Sequence, residues 1–161
     1  MTTPLIMLGL LVGPSALNVL IARLAGRRLL DAASAGCVGI ALVFCFTGAG
    51  HFVQTKPMAE MLPPWVPSRI PLVYLTGVLE LILAAAVLIR PLRRLVGRTL
   101  IVMLILFLPV NVYAAMNRIG MGGHEWGPIY LLIRVPLQLV LIVWIWWFAV
   151  QKTSDAERYG G

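Results

Sequence analysis

Charge is scarce in this sequence. Asp, Glu, Lys and Arg make up 12% of its 161 residues, against about 25% in an ordinary globular chain. With 60% hydrophobic residues beside them, a soluble fold would leave far too much apolar surface in water. Cysteine is nearly absent as well. Cys37 and Cys45 lie eight positions apart, which on one helix holds them about 12 Å from each other, too far for a bridge. Buried bulk is their expected role, and a self-contained thiol and disulfide enzyme is disfavoured. Histidine occurs twice, at His51 and His124, and without a second carboxylate at ligand spacing the two predict no zinc or iron centre. Motifs for a cofactor are missing too: there is no GxGxxG turn and no haem or iron-sulfur ligand set.

Long apolar runs fill the space that charge leaves. A helix needs about 20 mainly apolar residues to cross roughly 30 Å of hydrocarbon, because it must satisfy its backbone polar groups internally there. Five stretches qualify: Leu5 to Ala22, Ala33 to Val53, Ile70 to Ile89, Leu95 to Met116 and Ile129 to Val150. They are continuously apolar and lack the alternation of a membrane barrel. The predicted fold class is therefore an all-α membrane protein with five transmembrane helices, one domain over 1–161 with a short tail over 151–161. The first run resembles a signal peptide in length, but its basic residues follow it and no good cleavage site does. It is expected to remain as a membrane helix.

Nine basic residues fall on one side of that topology: Arg23, Arg27, Arg28, Arg90, Arg93, Arg94, Arg98, Lys152 and Arg158. Three fall on the other: Lys56, Arg69 and Arg118. The positive-inside rule then places the N-terminus outside and the C-terminus in the cytoplasm. Trp144, Trp146 and Trp147 are expected at the inner interface, Trp65 and Trp126 at the outer one. The net charge of +7 is spread over helix ends rather than clustered, so lipid headgroups are the expected counterpart and nucleic acid is not.

Polar residues collect at the outer side. The two outer connections, Gln54 to Arg69 and Asn117 to Pro128, hold Pro64 and Trp65 in one and His124 and Trp126 in the other. Their proline and glycine content stops a continuing helix and leaves two readings open, simple chain reversals or a lid over a cavity. Inside the spans, ionisable groups are costly and rare, yet Glu80 and Arg134 both occur. At about 1.5 Å per residue, Glu80 lies roughly 15 Å deep, Arg134 about 8 Å and Gln138 about 14 Å. Tyr130, Arg134 and Gln138 follow each other at spacing four and form one stripe, as do Thr76 with Glu80 and Thr47 with His51. Asn111 adds a polar group from the fourth span. Turned inward, these faces predict an outward-opening polar pocket with Glu80 at its floor and Arg134 as its partner. Pro109 and Pro136 bend the spans that line it.

The order Gly50 His51 Phe52, then Pro63 Pro64 Trp65 Val66 Pro67, then Tyr74 Leu75 Thr76 Gly77 with Glu80, then Pro109 with Asn111, then Gly127 Pro128, Tyr130, Arg134 and Gln138, resembles the DoxX-like family of small bacterial membrane proteins. The resemblance implies a four-helix core over 33–150, to which the first helix is an addition, in the bacterial cytoplasmic (inner) membrane. For function it implies thiosulfate oxidation with quinone as acceptor, or membrane complexes that handle oxidative stress and thiol redox balance.

Three functions follow as expectations. One is a redox-linked subunit that works with a redox partner protein and binds a quinone or similar lipophile in the outer pocket. The second is a protein that binds or isomerises small lipophiles with Glu80 as proton shuttle. The third is a non-catalytic scaffold or assembly factor whose loops dock a partner.

Overall fold

A computed structural model of the chain describes residues 2–120 and 123–152. The predicted tail with Arg158, and Met121 and Gly122 of the second loop, lie outside the described residues. Six α-helices follow in order: α1 (Thr2–Ala25), α2 (Ala32–Val53), α3 (Thr55–Glu60), α4 (Arg69–Ala86), α5 (Arg93–Met116) and α6 (Leu131–Ile145). A tight 3-10 stretch, His124–Tyr130, leads into α6, and a π-helical turn, Trp146–Gln151, extends it. Five of the resulting rods are long and apolar enough to cross a membrane, and no strand occurs among the described residues. The fold is the all-α bundle that the apolar runs predict.

Local chemistry sets the ends of these helices. Asp31 caps α2 by accepting the Ser34 backbone N–H at 2.8 Å and its hydroxyl at 2.7 Å. Asn18, buried in α1, holds the preceding connection: its side chain accepts from the N–H groups of Leu29 and Leu30 and donates to the Leu30 carbonyl. The third apolar run reaches Ile89, but α4 stops at Ala86. Pro91 follows closely, and Leu88 and Ile89 bond back to Ala85 and Ala86 in a tighter turn. α6 starts two residues after the expected Ile129, because the backbone breaks at Gly127 (φ 70°, ψ −150°) ahead of Pro128.

α2 is the hub, packed against α1, α4 and α6, while α6 also rests on α5. The core centres on Leu11, Ile40, Val43, Val87, Leu100 and Ile145, all fully buried. A Cβ at Gly39 would stand 2.1 Å from the Leu11 carbonyl oxygen, so α1 lies backbone against backbone on α2, a small-residue contact typical of membrane helices. Cys37 is buried as expected, but Cys45 is exposed. Eight residues turn a helix by about 80° beyond two full circles, which carries Cys45 off the packed face. Trp146 and Trp147 stand exposed on the surface, whereas Trp144 turns inward and donates to the Gly36 carbonyl at 3.3 Å.

The bundle has two chemically different ends. The arginine end carries Asp31, Arg90 and Arg93. The cavity end carries α3 and the His124–Tyr130 stretch.

Candidate functional site

The site begins where α2 crosses α4. Gly48 faces Leu81 and Glu80 there, and a Cβ at Gly77 would stand 2.6 Å from the Cβ of His51. Small residues allow the two backbones to approach, and the approach brings His51 and Glu80 together. His51 Nε2 lies 3.4 Å from Glu80 Oε1, and the Thr47 hydroxyl meets Glu80 Oε2 at 2.5 Å. On its other side, His51 Nδ1 lies 2.9 Å from the Val73 carbonyl and 3.1 Å from the Thr76 hydroxyl. A carbonyl only accepts, so Nδ1 carries a proton. Nε2 then either donates to a Glu80 carboxylate or accepts from a protonated Glu80. Both arrangements give the His51 and Glu80 pair a net charge of zero.

A cavity of about 630 Å³ opens beside this pair. Its walls are mainly apolar, with Val43 and Phe44 from α2, Leu104 and Phe107 from α5, and Leu137 and Leu141 from α6. Met58 of α3 and Thr3 and Met7 of α1 also reach it. It extends to exposed Gln54 at the cavity end, and to the apolar flank of the bundle at Phe46, Ala49 and Val53 of α2 and Leu106 of α5.

The seven predicted pocket residues, His51, Thr76, Glu80, Asn111, Tyr130, Arg134 and Gln138, all line this cavity. Among the predicted loop residues, His124 lines it and packs edge-on against the Tyr130 ring at 4.8 Å between centroids. Pro64, Trp65 and Trp126 are exposed and stand outside its lining. Asn111 donates to the Phe107 carbonyl at 2.8 Å. Gln138 donates to the Leu104 carbonyl of α5 at 2.8 Å, tying α6 to α5 one turn below Pro109.

The expected pair of Glu80 with Arg134 is not formed. Glu80 is held by Thr47 and His51 of α2, and Arg134 makes neither hydrogen bond nor ion pair among the described residues. Its Nε is buried without a partner, with Tyr130 and Glu80 as its electrostatic neighbours. The reason is packing: α4 lies mainly against α2 and α6 against α5, and both side chains line the cavity without meeting. Similar depth in the membrane carried no information on this separation. Groups of three or more metal-ligating side chains are absent among the described residues, and the two histidines hold other partners.

No polar stripe marks the contribution of α1, whose Thr3 and Met7 carry no charge, or that of α3. The only signal for α3 was the break at Gln54, followed by Thr55, whose hydroxyl bonds the His51 carbonyl at 2.7 Å.

No curated protein and no solved structure matches the chain. A family model described as a domain of unknown function (DUF8561) matches residues 40–149. That span contains the crossing of α2 and α4, the cavity's polar cluster and all of α5 and α6, and it begins beyond α1. Since it covers well over half of the 161 residues, the chain belongs to the DUF8561 family.

Proposed function

We propose that this protein is a multi-pass protein of the bacterial cytoplasmic membrane that binds a quinone or similar small lipophile in its outward-facing cavity, as a redox-linked subunit. The observation that carries this reading is the cavity of about 630 Å³ with apolar walls, a polar cluster at one side and an extension to the apolar flank of the bundle. Ligand cavities of roughly 300–1,000 Å³ hold one drug-sized molecule and combine apolar walls with a few placed polar groups. A lipophile dissolved in the bilayer would enter through the flank without crossing water. The resemblance to the DoxX-like family supports the redox link, with electrons supplied by a partner protein.

The His51 and Glu80 pair favours a second, related reading. It holds one transferable proton at the edge of the cavity, which suits proton transfer to or from a bound lipophile, as an isomerising protein requires.

Thermal stability tests the first reading. Short-tailed benzoquinone and naphthoquinone analogues should raise the unfolding midpoint of the parent chain by mass action, with a smaller rise in folded His51→Ala and Gln138→Leu variants. No rise with any lipophile would leave the scaffold or assembly role. The topology is tested by reporter fusions, which should place Gly161 in the cytoplasm and the loops at Pro63 and Gly122 outside, following the bias of basic residues.

A further inference from the structure

We propose that the ligand of this cavity is a single-tailed amphiphile with an anionic head, a carboxylate by preference, and that Arg134 is the residue that holds the head. This rests on the lipophile reading of the cavity and narrows the class of ligand.

His51 spends Nδ1 on Val73, and its Nε2 faces Glu80. Thr76 bonds carbonyls of its own helix, and Thr47 is shared between its own helix and Glu80. Asn111 and Gln138 each commit an amide N–H to a carbonyl of α5. Arg134 is the charged exception. Its guanidinium lines the cavity, its Nε is buried without a partner, and no hydrogen bond or ion pair engages it among the described residues.

Charge leads to the same place. The proton shared by His51 and Glu80 leaves that pair neutral, so the charge lacking a close counterpart at the cavity, among the described residues, is that of Arg134. A guanidinium in an apolar wall is costly to leave bare, and its fork of donors matches two oxygens of one carboxylate. A quinone carbonyl offers a single neutral oxygen, so a quinone would fill the apolar cavity but bind more weakly than an amphiphile whose carboxylate also matches the charge. Tyr130, buried beside Arg134, adds a phenolic hydroxyl on the same side. The volume of about 630 Å³ suits one tail in place of two, and the apolar flank at Phe46 and Leu106 gives that tail a way out into the membrane.

The test titrates the full chain in mild detergent at a pH where fatty acids are ionised, using decanoate, decanol, decylamine and phosphatidylglycerol against the unfolding midpoint of the parent, Arg134→Gln and Arg134→Lys. Decanoate in large excess should raise the parent midpoint by about 5–10 °C, while decanol and decylamine should do much less. Arg134→Gln should lose the response and Arg134→Lys should keep part of it. Without ligand, Arg134→Gln should melt at or above the parent, since it removes an uncompensated charge, and this separates a binding role from a merely structural one. Equal responses to decanoate and decanol that survive Arg134→Gln would overturn the anionic head and leave the lipophile cavity standing. A response to none of these probes, nor to the quinone analogues, would overturn both readings. A phosphatidylglycerol response that survives Arg134→Gln, with none to decanoate, would place the anion at the surface arginines and overturn the proposal. One that needs Arg134 would overturn its single tail.

Discussion

Two arginines inside the same bundle are treated in opposite ways. Arg93, at the arginine end, is buried with 6% exposure, donates to the Val87 and Leu88 carbonyls past the end of α4 and to the Ser34 hydroxyl, and sits near the Asp31 and Arg90 ion pair at 2.9 Å. Arg134, at the cavity end, has no such partner among the described residues. A buried cation held by three acceptors of the chain is part of the scaffold. One left unmatched beside a cavity suits the ligand-holding role proposed for it. The same type of side chain is matched by the fold at one end and left unmatched at the other.

The sharpest way to break this comparison is to remove each arginine in turn. Arg93→Met should destabilise by about 3 kcal/mol or more, because it strands the Val87 and Leu88 carbonyls and the Ser34 hydroxyl. Arg134→Met should cost nothing or stabilise by about 1 kcal/mol, since no partner is stranded. Denaturation of both variants in the same detergent measures the difference, and equal losses would put Arg134 in the scaffold too.

The next effect concerns the crossing of α2 and α4. Gly77→Val should cost about 1–3 kcal/mol through overpacking, as its Cβ would stand 2.6 Å from that of His51. It should also weaken ligand binding by shifting His51 away from Glu80. A variant of parent stability would contradict the close approach.

A double-mutant cycle reads the pairing itself. His51→Ala with Glu80→Gln should show a coupling of about 1 kcal/mol or more, and Glu80→Gln with Arg134→Gln a smaller one. The reverse ranking would restore the pair that depth alone suggests.

The smallest effect lies at the arginine end. Burial opposes the charge of Asp31, but the Ser34 N–H and hydroxyl and the Arg90 and Arg93 charges outweigh it and hold its carboxyl below the ordinary 3.8. With its folded value lowered, Asp31 contributes its full stability above about pH 4 and loses it as pH falls through the folded value. The side chain is 47% exposed, so screening limits the contribution to no more than about 1 kcal/mol. Asp31→Asn should flatten the acid limb of a stability profile by that amount.

Much of this molecule was legible in its sequence, for a physical reason. A helix that crosses hydrocarbon must be long and apolar, so five runs announce five rods, and polar residues at spacing four on those rods announce an inward face. His51, Glu80, Arg134 and Gln138 were found that way. The choice of partners was not legible, because it depends on which helices touch. Gly48 and Gly77 bring α2 onto α4 and give Glu80 to His51, and nothing in the depth of Arg134 shows that it stays apart from Glu80. Arg93 reads as one basic residue among several near a helix end, and only the turn at Val87 to Ile89 folds it inward. Thr3 and Met7 of α1 became part of the cavity wall through the contact at Gly39, a single small residue in a helix already rich in them.

The central claim is that the cavity is a binding site whose ligand is held by Arg134. Native mass spectrometry of the parent chain and of Arg134→Met, released from mild detergent, tests it most directly. The account predicts one co-purified acidic, single-tailed molecule per chain in the parent and its loss in the variant, with both chains folded. A parent that carries nothing, or a bound molecule retained equally by the variant, would contradict it.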